Sequence, residues 1–184
     1  MIRPRFSRRW LPASAGGLLA AVVLTLGPAG TTPAAHAATI NVSCVGTTSA
    51  TYDPGITLEP RVVHAFGQDI YNSCSSSDPT LHSGFDTFDA MLTLSCVQPL
   101  FSGPGETVIK WNNGQQSTLS VNGVVTTVGG QVVDTFTGSV SAGEFTGASV
   151  IAVLTEAQPN AIQCLTPQGV TRASGTDTLQ ILSL

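Results

Sequence analysis

The sequence predicts an all-β fold, an immunoglobulin-like β-sandwich of about nine strands that is held by two disulfide bonds. Three observations predict it. Beyond residue 37 the chain is rich in Thr, Ser, Gly, Val and Ala and poor in charged helix-forming residues, which favours strands. Turn signals recur roughly every 8–12 residues, the spacing typical of a sandwich. An even number of cysteines, four, lies in this part of the chain, which favours disulfides made in an oxidising compartment.

The first 37 residues have the pattern of a secretion signal. Four arginines precede an apolar stretch at residues 13–26, and Ala35-His36-Ala37 provides the small-x-small cleavage pattern. We therefore predict a signal peptide at residues 1–37 and a single domain at 38–184, secreted to the extracellular space. The general secretory route is favoured, and the adjacent Arg8 and Arg9 leave the twin-arginine route as the alternative.

The charge of the mature chain excludes some partners. Only Arg61, Lys110 and Arg172 remain against eleven acidic residues, a net charge of −8. So few cations cannot neutralise a run of phosphates, so we expect no nucleic acid and no anionic membrane surface as a partner. No second apolar run of about 18 residues follows, so no membrane span is predicted.

The strands are predicted from alternation, and the turns from Pro, Gly and Asn-Gly. The clearest strand is 85–96, where Phe88, Ala90, Leu92 and Leu94 share one face. Turns are predicted at 52–55, 112–114, 122–123 and 129–130. The other strands are predicted at 39–45, 61–74, 107–111, 132–140, 145–154 and 176–182, with two short strands flanking Asn122-Gly123. Residues 159–174 are predicted to be a long connection.

The four cysteines allow three disulfide pairings. If strands 61–74 and 85–96 form a hairpin, Cys74 and Cys96 lie at opposite ends of it, too far apart for a bond. Counting strand reversals places Cys44 at the same end as Cys74. The pattern weakly favours Cys44–Cys74 and Cys96–Cys164, without excluding the remaining arrangement.

No catalytic motif is present, so the chain is not predicted to be an enzyme. His64 and His82 are the histidines beyond the signal, and residues 147–151 lack the second glycine of a nucleophile elbow. Asp86 and Asp89 with His82 could form a cation site, but alternation places the two aspartates on opposite strand faces. We expect no metal and no cofactor.

Two other kinds of side chain could contribute to binding. Asp134 shares a face with apolar residues, so its carboxylate needs a partner such as Lys110 or Arg172, or an edge position. Tyr52, Tyr71 and Trp111 could line a carbohydrate-binding face, although core packing is the more ordinary role for such aromatics.

The strings TYDPGIT, IKWNNGQQST and CLTPQGV resemble those of an uncharacterised family of small secreted proteins of Streptomyces and related actinobacteria, which implies no site residues. In general character the chain is also similar to neocarzinostatin-type apoproteins, acidic secreted sandwiches with two disulfides, whose cysteine pairs close shorter loops. Residues 164–167 faintly resemble the inhibitory loop of secreted subtilisin inhibitors.

Together these observations predict a non-catalytic secreted module that binds an extracellular protein or a cell-wall partner, or that is a component of a secreted assembly. The alternatives are a small-ligand carrier with an apolar cleft beside Trp111, and a protease inhibitor with an exposed loop at residues 164–168. The sequence does not indicate an oligomeric state.

Overall fold

A computed structural model describes residues 39–183 and shows eight antiparallel strands closed into one barrel. Each strand pairs with the next along the chain, and β8 pairs with β1. The strands are β1 (Thr39–Ile56), β2 (Arg61–Ser76), β3 (Gly84–Leu94), β4 (Gly103–Trp111), β5 (Gln116–Val128), β6 (Gln131–Gly143), β7 (Ser149–Ala157) and β8 (Val170–Ser183), with a short helix α1 (Ala161–Cys164) before β8. The predicted signal peptide at residues 1–37 lies outside the described residues.

The prediction of an all-β fold with disulfides is confirmed, but the immunoglobulin-like sandwich of nine strands is wrong. The extra strand came from Asn122-Gly123, which was predicted to be a hairpin turn. Both residues lie in the middle of β5 and pair with β4 and β6. Gly123 is buried, and a Cβ there would come within 2.8 Å of the Phe136 ring. This glycine therefore makes room for packing in a continuous strand.

Long strands allow one sheet to close on itself. β1 has 18 residues and continues through the predicted turn at residues 52–55, where the Asp53–Pro54 peptide is cis. β8 has 14 residues and begins inside the predicted connection at 159–174. The pairing of these two strands runs from Thr39–Ser183 to Ile56–Val170. That ladder covers both edges of the sheet, whereas two packed sheets would leave edges exposed.

Alternation along the strands fills the barrel with two apolar clusters. One cluster, which we call the Trp111 end, includes Val42, Ile109, Trp111 and Ile181. The other, called the helix end because Cys164 of α1 belongs to it, includes Tyr52, Ile56, Val63 and Val170. Inward-facing positions between the two clusters are mostly polar, and they include the acidic residues of the candidate site.

The structure joins Cys44 to Cys74 and Cys96 to Cys164. The first bond links paired positions on β1 and β2 at the Trp111 end. The second attaches the end of α1 to the segment that follows β3, and it closes a sequence separation of 68 residues. By the chain-entropy relation, the first bond stabilises the fold by about 3.6 kcal/mol and the second by about 4.4 kcal/mol. The disulfides indicate an oxidising environment. No helix within residues 39–183 is long and apolar enough to cross a membrane.

The barrel wall is incomplete between β7 and β8 at the helix end. The last pair between β7 and β8 is Glu156–Gly175, whereas β8 extends to Val170 and pairs there with β1. Residues 170–174 therefore have a neighbouring strand on one side only. An opening results at the helix end, beside residues 157–163.

We predict that Gly138→Ala will destabilise the barrel. Gly138 lies on β6, and a Cβ there would stand 2.0 Å from the Ser120 carbonyl oxygen of β5. The clash with backbone cannot be relieved by rotating a side chain, so we expect a loss of about 1–3 kcal/mol in unfolding free energy. Urea denaturation measures this loss. The control is Gly105→Ala on β4, where nothing lies within 4 Å of the new Cβ. Equal stabilities of the two variants would contradict the register.

Candidate functional site

Five acidic side chains point into the barrel between its two apolar clusters. We call Asp69, Asp86, Asp134, Glu156 and Asp177 the inner acidic layer. The strand register explains why they meet. One row of paired positions runs from Asp86 through Asp69, Thr48 and Gly175 to Glu156. The adjacent row runs from Tyr71 through Gly46, Asp177 and Leu154 to Asp134.

Two hydroxyl groups donate hydrogen bonds to carboxyl groups of the inner acidic layer. The Tyr71 hydroxyl donates to Asp177 Oδ2 at 2.6 Å, and the Thr107 hydroxyl donates to Asp86 Oδ2 at 2.6 Å. Other oxygens lack a partner: one carboxyl oxygen each of Asp69, Asp86, Asp134 and Asp177 is buried without a hydrogen bond. Unpaired buried carboxylates are costly, so the layer favours the protonated, neutral form of these groups.

Burial raises the pKa of every member of the layer. Burial and the negative charge of Asp69 together raise the pKa of Glu156 and of Asp177 to about 7. Burial raises the pKa of Asp134 to about 6. Asp69 and Asp86 face each other across β2 and β3, and burial raises the pKa of both. The layer therefore holds protons under mildly acidic conditions, where exposed carboxyl groups are ionised.

A cavity of about 550 Å³ lies at the opening in the barrel wall. We call it the mouth cavity. Its lining includes Tyr52, Ile56, Glu156, Asn160, Val170 and Arg172. The volume is in the range of small-molecule sites, and a few polar groups stand in a partly apolar wall, as such sites require. Glu156 belongs both to this wall and to the inner acidic layer.

Two buried polar groups of the mouth cavity lack strong partners. The Tyr52 side chain is 3% exposed, and its hydroxyl has no hydrogen bond. Glu156 is 4% exposed. Burial raises the pKa of Tyr52, and the negative charge of Glu156 adds to that increase. Within residues 39–183 the salt bridge is His64–Asp89, so no cation of that segment neutralises Glu156. A ligand that supplied hydrogen-bond donors would satisfy both groups.

A second depression, of about 610 Å³, lies beside Trp111 at the other end of the barrel. Outward-facing side chains such as Ile70, Phe85 and Lys110 form much of its wall. The Trp111 indole N–H already donates to the Ser117 hydroxyl at 2.9 Å. This depression holds no buried polar group that lacks a partner, so the mouth cavity is the better candidate site.

The three aromatic residues considered for carbohydrate binding are all buried. Tyr52, Tyr71 and Trp111 are 3%, 3% and 4% exposed. Tyr71 and Trp111 lie in the cluster at the Trp111 end, whereas Tyr52 lies in the cluster at the helix end. They do not form one exposed stacking face, and only Tyr52 contributes to the mouth cavity.

The structure separates the residues considered for catalysis and cation binding. His64 Nε2 lies 2.7 Å from Asp89 Oδ1 on the outer surface, and His82 Nδ1 lies 3.1 Å from the Asn112 amide nitrogen. Asp86 points into the barrel instead, 6% exposed. No group of three or more His, Cys, Asp or Glu side chains in residues 39–183 is arranged to hold a metal ion.

Asp134 shares the buried strand face expected from the sequence, but the suggested partners are absent. The side chain is 1% exposed, and it forms no salt bridge with Lys110 or Arg172. Backbone hydrogen bonds from Val124 and Thr135 lower its pKa, and burial outweighs them. The position is also not at a sheet edge, because β6 pairs on both sides.

Asp69, Glu156 and Asp177 are site residues that the sequence patterns above do not single out. Strand parity could have found them: Asp69 shares a face with Tyr71, Glu156 with Leu154, and Asp177 with Leu179. The predicted strands at 61–74 and 176–182 include Asp69 and Asp177, whereas residue 156 lies beyond the end of the predicted strand 145–154.

Comparisons with protein-family models, with curated proteins and with solved structures give no match to this chain. The site must therefore be interpreted from its own geometry.

We predict that the stability of the protein falls as the pH rises from about 4 to about 7. Glu156 and Asp177 have raised pKa values near 7 in the folded state, whereas the unfolded chain loses these protons near pH 4. The folded state then binds more protons across that range, so raising the pH favours unfolding. Each retained proton contributes a slope of about −1.4 kcal/mol per pH unit. Urea unfolding between pH 4.5 and 8.5 measures the slope.

The matched variants for this prediction are Glu156→Gln and Glu106→Gln. Glu156→Gln removes one buried titrating group, so its slope between pH 5 and 7 should be flatter. Glu106 is exposed on β4, and its replacement should leave the slope unchanged. Stability that rises over this pH range, or equal slopes for both variants, would show that the inner acidic layer does not hold protons.

Proposed function

We propose that the protein is a non-catalytic extracellular binding module that holds a small molecule in the mouth cavity. The observation that carries this proposal is the pairing of Tyr52 and Glu156 in the cavity wall. Both side chains are buried. The Tyr52 hydroxyl has no hydrogen-bond partner, and Glu156 forms no salt bridge. Buried polar groups are normally satisfied, and unsatisfied ones are found at places where a ligand or water binds.

Secretion is part of the proposal. The two disulfides and the signal-like pattern at residues 1–37 support an extracellular location. The closed β-barrel and its two disulfides restrain the strands that form the cavity wall. Such preorganisation favours binding, because little conformational entropy is lost when the ligand enters.

The geometry disfavours the protease-inhibitor alternative. Residues 165–168 are exposed, as an inhibitory loop would require. However, Leu165 has helical backbone angles (φ −85°, ψ −8°), and Thr166 N donates to the Gln163 carbonyl at 2.9 Å. Peptides that add to the edge of a partner sheet must be extended. This segment is a compact turn after α1 and does not offer an extended backbone.

A protein or cell-wall partner is a second candidate, favoured by apolar side chains near the Cys96–Cys164 bond. Val97, Ile162 and Leu165 are 76%, 77% and 72% exposed. Sedimentation of the secreted protein with purified cell walls tests this candidate. Binding that is lost in an Ile162→Ser, Leu165→Ser variant would support it, and a free monomer under all conditions would contradict it.

We predict that the protein purified from culture supernatant carries a non-covalently bound small molecule that native mass spectrometry detects. Ala173 is partly buried on the inward face of β8 and lines the mouth cavity. In Ala173→Trp the indole would occupy cavity volume, so the bound mass should be lost while the fold is kept. The control is Ala142→Trp, at an exposed position on β6 outside the cavity, which should retain the bound mass. Retention by both variants, or no bound mass in the wild-type protein, would contradict the proposed function.

A further inference from the structure

The charges around the mouth cavity differ in sign and in depth. Glu156 lies at its inner wall, 4% exposed. Arg172 also lines the cavity, but its side chain is exposed on the outer side of β8 and forms no salt bridge with Glu156. The deep part of the cavity is therefore negative or neutral, and the positive charge lies at its rim.

Titratable groups face Glu156 from three other strands. Tyr52 approaches from β1, where the Glu156 charge raises the Tyr52 pKa. Asp69 approaches from β2, and its negative charge raises the pKa of Glu156. On β8, Asp177 lies one inward position beyond Gly175, which is the register partner of Glu156, and Arg172 lies at the rim. The register partner of Glu156 on β6 is Val132, which is apolar.

The Glu156 side chain packs directly against β8 at Gly175. A Cβ there would stand 2.9 Å from Glu156 Cγ and 2.1 Å from the Thr155 carbonyl oxygen. The absence of a side chain at position 175 therefore makes room for Glu156, which lines the mouth cavity together with Tyr52.

These observations favour a positively charged ligand in the mouth cavity. We propose that the mouth cavity binds an organic ammonium ion, whose N–H groups donate to the Glu156 carboxylate and to the Tyr52 hydroxyl oxygen. The inference rests on the proposed function and names its ligand class. Charge-assisted hydrogen bonds of this kind are stronger than neutral ones, especially where water is excluded. An anion would meet Glu156 and Asp69 without a deep cation to balance it.

The rest of the cavity suits an apolar body attached to the ammonium group. Ile56 and Val170 are buried and line the cavity together with Pro99. Asn160 at the start of α1 also lines it, but its side-chain oxygen already accepts from the Ile162 backbone N–H at 2.9 Å. The cavity therefore offers the apolar body of an amine contacts with Ile56 and Val170, beside polar side chains such as Gln163.

Binding of an ammonium ion is linked to release of a proton. Burial holds the pKa of Glu156 at about 7 in the free protein, so at pH 5–6 the carboxyl must lose its proton before it pairs with the ligand. Affinity should therefore rise by up to about tenfold per pH unit below pH 7 and level off above it. Alkylammonium groups remain charged throughout this range.

The test compares three probes that share one naphthalene ring and differ in charge: 1-naphthylmethylamine, 1-naphthalenemethanol and 1-naphthoate. Isothermal titration at pH 8 should give the tightest binding for the amine, by about tenfold or more over the alcohol. Lowering the pH to 5.5 should weaken the amine alone. Glu156→Gln should remove the preference and its pH dependence, and Glu106→Gln should keep both.

The outcomes separate this inference from the proposed function. Equal affinities for amine and alcohol, tighter binding of naphthoate, or no binding of any probe would overturn the ammonium class. The cavity-dependent bound mass of the native protein is unaffected by those outcomes, because it requires no charge on the ligand. An amine preference that survives in Glu156→Gln would also overturn the inference, since another group would then hold the charge.

Discussion

The closed barrel forces five carboxyl groups into its interior, and the character of the candidate site depends on that constraint. Every second residue of a strand faces inward, so a fixed register leaves no freedom to turn an acid outward. Asp69 and Asp86 are paired across β2 and β3, and Gly175 separates Thr48 from Glu156 in the same row. None of these five carboxyl groups forms a salt bridge with a cation within residues 39–183.

An apolar interior would be the simpler way to stabilise a barrel of this size. Replacing buried charged groups by apolar ones is often neutral or stabilising, so a layer of unpaired carboxyl groups is retained at a cost. Hydroxyl donors offset part of that cost, as Tyr71 does for Asp177 and Thr107 does for Asp86. Glu156 forms no salt bridge, and it is the member of the layer that lines the mouth cavity. A buried acid without a cationic partner therefore lies at the opening.

Strand content could be predicted from the sequence, because it depends on local alternation and turn chemistry. Residues 85–96 show period-two alternation, and β3 occupies 84–94. Gly129-Gly130 was predicted to be a turn and has positive φ angles between β5 and β6. The predicted turn at Asn122-Gly123 is wrong. There the glycine allows Phe136 to pack closely against the strand, and it does not form a turn.

Closure of the sheet and the position of the site could not be predicted in this way. Sandwich and barrel differ in whether β1 pairs with β8, and those strands are separated by more than a hundred residues. Asp134 could be placed on a buried face from its neighbours alone. The other four acidic residues of the layer could not be placed beside it, because the five residues lie on five different strands. Their proximity depends on the pairing register between strands, which local sequence patterns do not determine.

The most direct test of this account is a ¹³C NMR titration of the Glu156 side-chain carboxyl in the ligand-free protein. Because Glu156 is buried at the cavity wall without a cationic partner, its pKa should be about 7. A midpoint near the ordinary value of about 4.3 would contradict the account. It would mean that water or a cation already satisfies this group, and the mouth cavity would then have no unpaired acid to offer a ligand.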